Sequence, residues 1–440
     1  MKEGTIAAIS TPLMTGAVGI VRISGEKADS VLRARFTPVS RTRIEDFMHG
    51  KLYYGTFDCG RFSDRCLAVL FRAPHSYTGE DMAEIQCHGG VEVVRGVLNA
   101  VLSEEGVRLA EPGEFTRRAF VNGKQDLSSC EGIGDMIQAE SAAELSAADA
   151  LARGELFRIV QRLQDSLTDW ISYAEVLLDY PEEDVPARKI EEIETFLSDA
   201  EAEIGGLLSG YDTGRKLKAG VTVALCGLAN AGKSSLFNAL LKFDRAIVTE
   251  IPGTTRDTIE GFLECEGIKI RLVDTAGVRE TSDEIERQGV RRSLDEIRDA
   301  DLVLFVFDGT DADADRELLA RAGENVLTVR SKADLGNAAG AELAVSATTG
   351  QNLEELKKQI VARTVGRVPS GLILTSERHF SALLRAKEFA ARARTDLAQK
   401  PFDILAHELR ETWDALGEIT GTAATEEIID NIFRKFCLGK

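Results

Sequence analysis

The chain contains 440 residues and carries a formal net charge of −19. This length predicts about two to three domains, and so negative a chain is poorly suited to binding nucleic acid by itself over a large surface. Its seven cysteines are odd in number and form no Cys-x-x-Cys pair, which argues against a disulfide framework or a structural zinc site. The sequence shows neither an apolar N-terminal run nor about 18 uninterrupted apolar residues, so we expect a cytoplasmic protein without a membrane span.

The N-terminal part, residues 1–124, combines short apolar runs with glycine-containing turns and one amphipathic helix. The runs VGIVRIS and CLAVLFR have the composition of strands, whereas EVVRGVLNAVLSE has helical spacing. We predict a separate α+β domain for this region.

The composition then changes, because residues 126–209 are rich in Ala, Leu, Glu and Ser. A single apolar face predicts a long helix, and its positions are Leu156, Ile159, Val160, Leu163, Leu167, Trp170, Ile171, Ala174 and Leu178. Pro181 and Pro186 end this helix, and a second helix is expected from about Ile190 to Leu208.

After Pro369 the helical pattern returns, with apolar positions on one face at Leu405, Leu409, Trp413 and Leu416. The simplest interpretation is a helical domain formed by residues 125–218 and 367–440 and interrupted by an inserted domain of residues 219–366. Each apolar face is either part of a core or a surface for a partner, and core packing is favoured.

The inserted domain opens on a phosphate-binding loop. The apolar run VTVALC at 221–226 reads as a buried parallel strand, GLANAGKSS follows at 227–235, and SLFNALL reads as a helix. In this strand–loop–helix context, backbone N–H groups and the helix N-terminus surround phosphates. We expect Lys233 to reach the β- and γ-phosphates and Ser234 to bind Mg²⁺. A glycine-rich turn without a ligand is the disfavoured alternative.

Two downstream segments complete the predicted phosphate site. The strand IKIRLVD ends in Asp274, which fits the residue that holds Mg²⁺ through water, and Gly277 is placed to donate to a γ-phosphate. The loop containing Thr254 and Thr255 is expected to close over the phosphates. The remaining predicted nucleotide contacts are Asn230, Ala231, Gly232, Ser235, Thr249, Thr275 and Ala276.

The base-recognition segment predicts GTP rather than ATP. Two further buried strands are expected at VLFVF and VLTVR, and the second ends in Ser331-Lys332-Ala-Asp334. Asp334 suits the guanine N1 and N2 donors, and Ser346-Ala347 fits the last base-contacting loop. GTPases usually have asparagine where this chain has Ser331, so one base contact is lost or bridged by water.

The residue after Asp-Thr-Ala-Gly is Val278, where a Ras-like enzyme has a glutamine that orients the attacking water. Either hydrolysis is very slow or another group performs this role. The carboxamide of Asn230 suits a monovalent cation beside the phosphates, which would neutralise charge in the transition state.

The whole chain resembles the MnmE (TrmE) family of tRNA-modification GTPases. The motifs that carry the resemblance are GIVRISG, SYTGEDMAEIQCHGG, EPGEFTRRAFVNGK, GLANAGKSS, IPGTTRD, DTAGVRETSDEIERQGV and the terminal CLGK. Ribosome-assembly GTPases share the middle motifs but neither end. The resemblance implies an N-terminal folate-binding and dimerisation domain, a discontinuous helical domain and an inserted, potassium-dependent, Ras-like P-loop GTPase domain of doubly wound α/β fold.

The same resemblance implies the reaction and its participants. A homodimer would act with the FAD-binding flavoprotein MnmG, in a hetero-oligomer that binds tRNA mainly through the complex. The product is an aminomethyl-type group on carbon 5 of the wobble uridine of certain tRNAs. A tetrahydrofolate derivative of the 5-formyl or 5,10-methylene type is the implied one-carbon source.

Site roles follow from the resemblance position by position. The potassium site corresponds to Asn230, Thr249, Ile251 and Thr254, and the magnesium ligands to Ser234 and Thr255. The residue that positions the attacking water through a second water corresponds to Glu286. The folate pocket corresponds to Arg22, Glu84, Lys124 and Lys440, and the family's terminal cysteine, of undetermined role in the modification chemistry, to Cys437.

Plainer interpretations exist for several of these residues. Without the resemblance, Glu286 reads as a solvated surface residue, Arg22 as part of a sheet-face ion pair and Cys437 as a tolerated residue of a terminal tail. At the level of the whole protein, the alternative function is a GTPase switch in ribosome assembly. The N-terminal motifs and CLGK favour tRNA modification.

Overall fold

In the computed structural model, the described part of the chain comprises residues 4–179, 190–228, 230–243, 259–274, 297–308, 325–336, 340–366, 371–437 and 439. The chain divides into two compact units. The first unit contains residues 1–134, 151–186 and 400–440, and the second contains residues 135–150 and 187–399. The three-domain boundaries expected from the sequence remain a prediction.

The first unit is built on a seven-stranded sheet with the order β3-β4-β5-β6-β2-β1-β7. Neighbouring strands are antiparallel except for the parallel pair β1 and β7. The strands are β1 Thr5–Ile9, β2 Val18–Ser24, β3 Phe36–Pro38, β4 Leu52–Asp58, β5 Ser63–Phe71, β6 Met82–His88 and β7 Val107–Leu109. The predicted strands VGIVRIS and CLAVLFR are β2 and the main part of β5.

Helices cover this sheet and continue the unit beyond it. They are α1 Ala28–Arg35, α2 Val91–Leu102, α3 Glu114–Val121, α4 Leu127–Gln138 and α6 Glu155–Asp179. Most of α5, Ala142–Ala152, belongs to the second unit. The predicted amphipathic helix is α2, and its buried face (Val94, Val97, Ala100 and Val101) joins the core formed by the sheet. This burial accounts for the apolar spacing read from the sequence.

The long predicted helix is α6, and its apolar face packs against a helix from the C-terminal part of the chain. That helix is α12, Phe402–Thr420, and it is followed by α13, Glu426–Phe433. Gln164 of α6 donates to the carbonyl oxygen of Trp413 at 3.1 Å, and the Trp413 indole donates to Thr168 at 3.1 Å. The apolar faces of α6 and α12 are therefore core surfaces, as the sequence favoured.

The second unit contains a six-stranded sheet with the order β13-β12-β11-β8-β10-β9. All neighbours are parallel except the edge strand β9, which is antiparallel to β10. Its strands are β8 Val221–Cys226, β9 Ile259–Cys265, β10 Ile268–Asp274, β11 Leu302–Phe307, β12 Val326–Arg330 and β13 Leu343–Ala344. The helices are α7 Ile190–Ser209, α8 Tyr211–Ala219, α9 Lys233–Phe243, α10 Leu353–Thr364 and α11 Glu377–Arg394.

The central strand β8 is buried except at the half-buried Thr222, as its run of β-branched and apolar residues requires. Parallel strands β8, β10, β11 and β12 direct their carboxyl ends to one edge of the sheet, where α/β proteins bind ligands. The predicted fold class is confirmed: the chain contains an N-terminal α+β region, helices from both sides of an insertion, and a mainly parallel α/β sheet that carries the phosphate loop.

Candidate functional site

The phosphate loop connects β8 to α9 at the carboxyl edge of the parallel sheet. Gly227 has a φ of +149°, and a Cβ at this position would overlap the carbonyl oxygen of Val306, so only glycine fits. The Lys233 ammonium donates to the carbonyl oxygens of Gly227 at 2.8 Å and Leu228 at 2.9 Å. An ammonium group has three hydrogens, so one remains for a phosphate oxygen.

Lys233 is only 7% exposed. Burial lowers the pKa of Lys233, while the negative charge of Asp274 opposes this shift. A phosphate bound beside the ammonium would restore the charge balance that burial removes. The electrostatics of the loop therefore favour an anionic ligand, as the sequence predicted.

The residues predicted to hold magnesium also lie together. The Ser234 hydroxyl donates to Oδ2 of Asp274 at 2.9 Å. The other carboxylate oxygen, Oδ1, is buried without a hydrogen-bond partner among the described residues. A buried acceptor of this kind fits the water shell of Mg²⁺. The predicted partners Thr255, Thr275, Ala276 and Gly277 lie outside the described residues.

The base-recognition residues come together after the ends of β12 and β13. Ser346, which is fully buried, donates its hydroxyl to Oδ1 of Asp334 at 2.6 Å. This bond fixes the carboxylate that the sequence assigns to the guanine N1 and N2 edge, and Ala347 follows directly in the chain. Lys332, between Ser331 and Asp334 in sequence, adopts a left-handed backbone conformation with a φ of +56°.

Ser331 makes a contact that the sequence analysis missed. Its hydroxyl lies 2.5 Å from the carbonyl oxygen of Ala231 in the phosphate loop and 3.3 Å from that of Phe307. The Lys332 ammonium donates to the carbonyl oxygen of Asn230 at 3.1 Å and to Oδ2 of Asp308 at 2.7 Å. The base-recognition segment is thus tied to the phosphate loop at two consecutive residues.

Asp308 was not predicted as a site residue. The available signal was its position directly after β11, at the carboxyl edge of the sheet. It neutralises Lys332 and keeps this ammonium against the phosphate loop. The potassium assignment is less complete: Asn230 has a φ of +66° within the loop, whereas Thr249, Ile251 and Thr254 lie outside the described residues, as does Glu286.

In the first unit, Arg22 and Glu84 are direct cross-strand partners on β2 and β6. Their Nε and Oε1 atoms are 2.9 Å apart, and both side chains are largely buried. The guanidinium carbon of Arg22 lies 5.8 Å from the ring centroids of both Tyr77 and Phe115. This pair of opposite charges between aromatic rings offers donors and a carboxylate acceptor to a planar polar ligand.

The end of the chain returns to this pair. The carbonyl oxygen of Gly439 accepts hydrogen bonds from Arg22 Nη1 at 3.3 Å and from the Ser10 hydroxyl at 3.2 Å. Cys437, two residues earlier, is exposed. Gly439 therefore lies beside Arg22 of β2, one of the predicted folate residues. Lys440 lies outside the described residues.

Lys124, the remaining predicted folate residue, contacts the loop between β5 and β6. Its ammonium donates to the carbonyl oxygen of Pro74 at 3.0 Å. The same loop carries Tyr77, which contacts Arg22. The loop therefore lies between Lys124 and the Arg22–Glu84 pair.

A buried charge network holds the loop between β5 and β6 through Glu80. Arg118 of α3 is 5% exposed, and it donates to Glu80 Oε2 at 2.9 Å and to Glu114 Oε1 at 3.1 Å. Glu114 also accepts from Arg108 at 2.8 Å and from the backbone N–H of Glu111 at 2.9 Å. Burial alone would raise the pKa of Glu114, but the hydrogen bonds from Arg108, Glu111 and Arg118 outweigh it and lower the pKa.

The sequence of the chain matches two domain models and many full-length relatives. The N-terminal domain model of the GTP-binding protein TrmE matches residues 5–124, and the MnmE helical-domain model matches residues 127–437. The tRNA modification GTPase MnmE of Geobacter metallireducens is 41% identical over 458 residues, which cover 100% of this chain and 99% of the relative. The MnmE of Heliobacterium modesticaldum is 41% identical over 468 residues and both full lengths.

The chain belongs to the MnmE family of tRNA modification GTPases. Among solved structures, the G domain of the T. maritima FeoB iron transporter is 32% identical and covers 32% of this chain and 98% of that chain, with a TM-score of 0.26. A score this low carries no structural argument, so the family assignment depends on the sequence relatives. No helix in the described part of this MnmE-family chain is long and apolar enough to cross a membrane.

Proposed function

We propose that this MnmE-family protein hydrolyses GTP and couples hydrolysis to the modification of carbon 5 of the wobble uridine in certain tRNAs. The observation that carries the proposal is the arrangement of Lys233, Ser234 and Asp274. The buried ammonium of Lys233 has one hydrogen left for a phosphate oxygen. The buried Oδ1 atom of Asp274 can accept a hydrogen bond from a metal-bound water. Groups of this kind position a nucleoside triphosphate and neutralise its negative charge.

Each part of the nucleotide has a proposed partner. Lys233 and the loop N–H groups bind the phosphates, Ser234 and Thr255 hold Mg²⁺, and Asp334 reads the guanine. A potassium ion held by Asn230, Thr249, Ile251 and Thr254 supplies positive charge beside the β- and γ-phosphates. Glu286 positions the attacking water through a second water, which replaces the function that Val278 cannot perform.

The one-carbon chemistry belongs to the first unit. A tetrahydrofolate derivative, of the 5-formyl or 5,10-methylene type, binds Glu84 through the N–H edge of its pterin. Its glutamate carboxylates suit cationic partners such as Lys124 and Lys440, and Arg22 suits either a carboxylate or the pterin. The contact between the Gly439 carbonyl oxygen and Arg22 supports this arrangement.

The domains and partners follow the family. Residues 1–124 form the folate-binding and dimerisation domain, residues 125–218 and 367–440 form the helical domain, and residues 219–366 form the GTPase domain. The protein acts as a homodimer in the cytoplasm, with the FAD-binding MnmG protein in a hetero-oligomer that binds tRNA. The N-terminal motifs and CLGK favour tRNA modification over a role in ribosome assembly.

The folate assignment is tested by replacing Glu84. Calorimetry should show that Glu84→Ala weakens the binding of 5-formyltetrahydrofolate at least tenfold, about 1.4 kcal/mol. Glu104→Ala is the matched control, because Glu104 also forms a half-buried ion pair, with Arg35, in the same unit. An unchanged affinity of Glu84→Ala for 5-formyltetrahydrofolate would show that the Arg22–Glu84 pair has a purely structural role.

A further inference from the structure

The hydroxyl hydrogen of Ser331 is already used inside the protein. Ser331 is 6% exposed, and its Oγ lies 2.5 Å from the carbonyl oxygen of Ala231 and 3.3 Å from that of Phe307. Both neighbours are acceptors, and a hydroxyl group has a single hydrogen to donate. Towards any other group, this side chain can therefore act only as an acceptor.

The segment that carries Ser331 is held in place by a second attachment. The Lys332 ammonium bridges the carbonyl oxygen of Asn230 and the carboxylate of Asp308. The backbone N–H of Ser331 also donates to the carbonyl oxygen of Phe307 at 2.9 Å. Rotating the hydroxyl away from Ala231 would leave a buried carbonyl oxygen without its partner, which costs about 1–3 kcal/mol.

Guanine has two kinds of polar edge. Its N1 and N2 atoms are donors, which suit the carboxylate of Asp334, whereas O6 and N7 are acceptors. The asparagine common at this position has two amide hydrogens, enough for one carbonyl oxygen of the phosphate loop and one acceptor of the base. A serine hydroxyl has one hydrogen, which is enough for the carbonyl oxygen of the phosphate loop but not also for an acceptor of the base.

We propose that Ser331 is a specificity-determining residue that supplies no hydrogen-bond donor to guanine N7, so that the segment of residues 331–334 recognises the base through Asp334 alone. This inference rests on the proposed binding of guanine nucleotides. Ser331 acts as a tether between the base-recognition segment and the phosphate loop. The protein consequently tolerates changes at N7 and is sensitive to changes at N2.

The test compares GDP with 7-deaza-GDP, in which a C–H group replaces N7. Calorimetry on the full-length protein should give dissociation constants for the two nucleotides within about twofold of each other. In Ser331→Asn, which restores a donor, GDP should bind more tightly and 7-deaza-GDP should bind about fivefold more weakly than GDP, the usual effect of one hydrogen bond. Inosine diphosphate, which lacks N2, should bind more weakly than GDP to both proteins.

Each result has a distinct meaning. A loss of fivefold or more for 7-deaza-GDP in the unaltered protein would overturn the inference, as would a Ser331→Asn protein that binds GDP and 7-deaza-GDP equally well. The comparison in the unaltered protein decides the question even if Ser331→Asn does not fold. Failure of the unaltered protein to bind GDP at all would instead contradict the proposed function.

Discussion

At the scale of single residues, the buried carboxylate of Glu114 links three parts of the first unit. It binds Arg108, Arg118 and the backbone of Glu111, and Arg118 in turn binds Glu80 in the loop beneath Tyr77. Removing one partner from a buried charge network leaves the others without compensation. The network therefore maintains the loop that lies between Lys124 and Arg22.

Replacing Glu114 tests this role through pH. Because its pKa is lowered in the folded protein, its contribution to stability is present above the unfolded pKa, near 4.5, and is lost as the pH falls through the folded value. Glu114→Gln should lose about 3 kcal/mol near neutral pH, with a smaller difference from the unaltered protein below about pH 4. Thermal unfolding at the two pH values measures both effects.

The control for this experiment is Glu92→Gln. Glu92 lies on α2 with an 88% exposed side chain in a surface pair with Arg95. Its loss should change stability by no more than about 0.5 kcal/mol at either pH. A Glu114→Gln protein as stable as this control would show that the network is not important for folding.

Asn230 provides a second test at the residue scale. If its carboxamide binds potassium, replacing sodium by potassium at constant ionic strength should raise kcat strongly, and Asn230→Ala should lose most of this response. The variant keeps the backbone carbonyl that Lys332 binds, so the loop retains its attachment. Asn238→Ala, an exposed change on α9, should respond normally; equal rates of the unaltered protein in both salts would refute the cation site.

The sequence assigned Lys233, Ser234 and Asp274 to one site but did not predict all of the contacts there. The phosphate motif places Lys233 and Ser234 at the start of α9, and Asp274 meets Ser234 because β10 pairs with β8. The partnership of Ser331 with Ala231 was not predictable, because it joins segments 100 residues apart in sequence. Asp308 was missed for the same reason, since only the sheet order places β11 beside β8.

At the scale of elements, close packing fixes helix α8 of the second unit. Gly214 of α8 faces the side chain of Ile373 and the backbone of Leu374, and a Cβ there would overlap the carbonyl oxygen of Leu374. Gly214→Ala should therefore destabilise the protein by about 1–3 kcal/mol, although alanine favours helices. Gly206→Ala on α7 is the matched change, since no atom lies within 4 Å of its added Cβ.

The two alanine variants should shift the melting temperature in opposite directions. Gly206→Ala should stabilise by about 0.5–1 kcal/mol because it removes the entropic disadvantage of glycine in a helix. Two shifts of the same sign would contradict the packing of α8 against residues 373–374.

The elements predicted from periodicity were α2, α6, α7, α12 and the buried strands, and all are present. Each has an apolar face or run long enough to signal its own burial. Helices α3 and α4 were not predicted, because α3 buries charged Glu114 and Arg118 and α4 buries serines and glycines. Where the buried residues are polar and hydrogen-bond to one another, the sequence shows no apolar pattern that would predict their burial.

At the scale of the whole molecule, the first unit carries the predicted folate residues and the second carries the nucleotide site. The proposed reaction requires both sites. GTP hydrolysis and tRNA modification should accordingly be separable by variants: deletion of residues 437–440 should leave hydrolysis nearly intact but abolish modification. The contacts of Gly439 with Ser10 and Arg22 are all in the first unit, which is why hydrolysis should persist.

The coupling of GTP hydrolysis to tRNA modification is tested by liquid-chromatography analysis of wobble nucleosides in tRNA from a strain lacking this gene. The unaltered gene should restore the carbon-5-modified uridine, and Lys233→Ala should not. Lys242→Ala, an exposed change on the same helix α9, should restore it fully. Modified wobble uridine at normal levels in the deletion strain, or full restoration by Lys233→Ala, would contradict the coupling of GTP hydrolysis to tRNA modification.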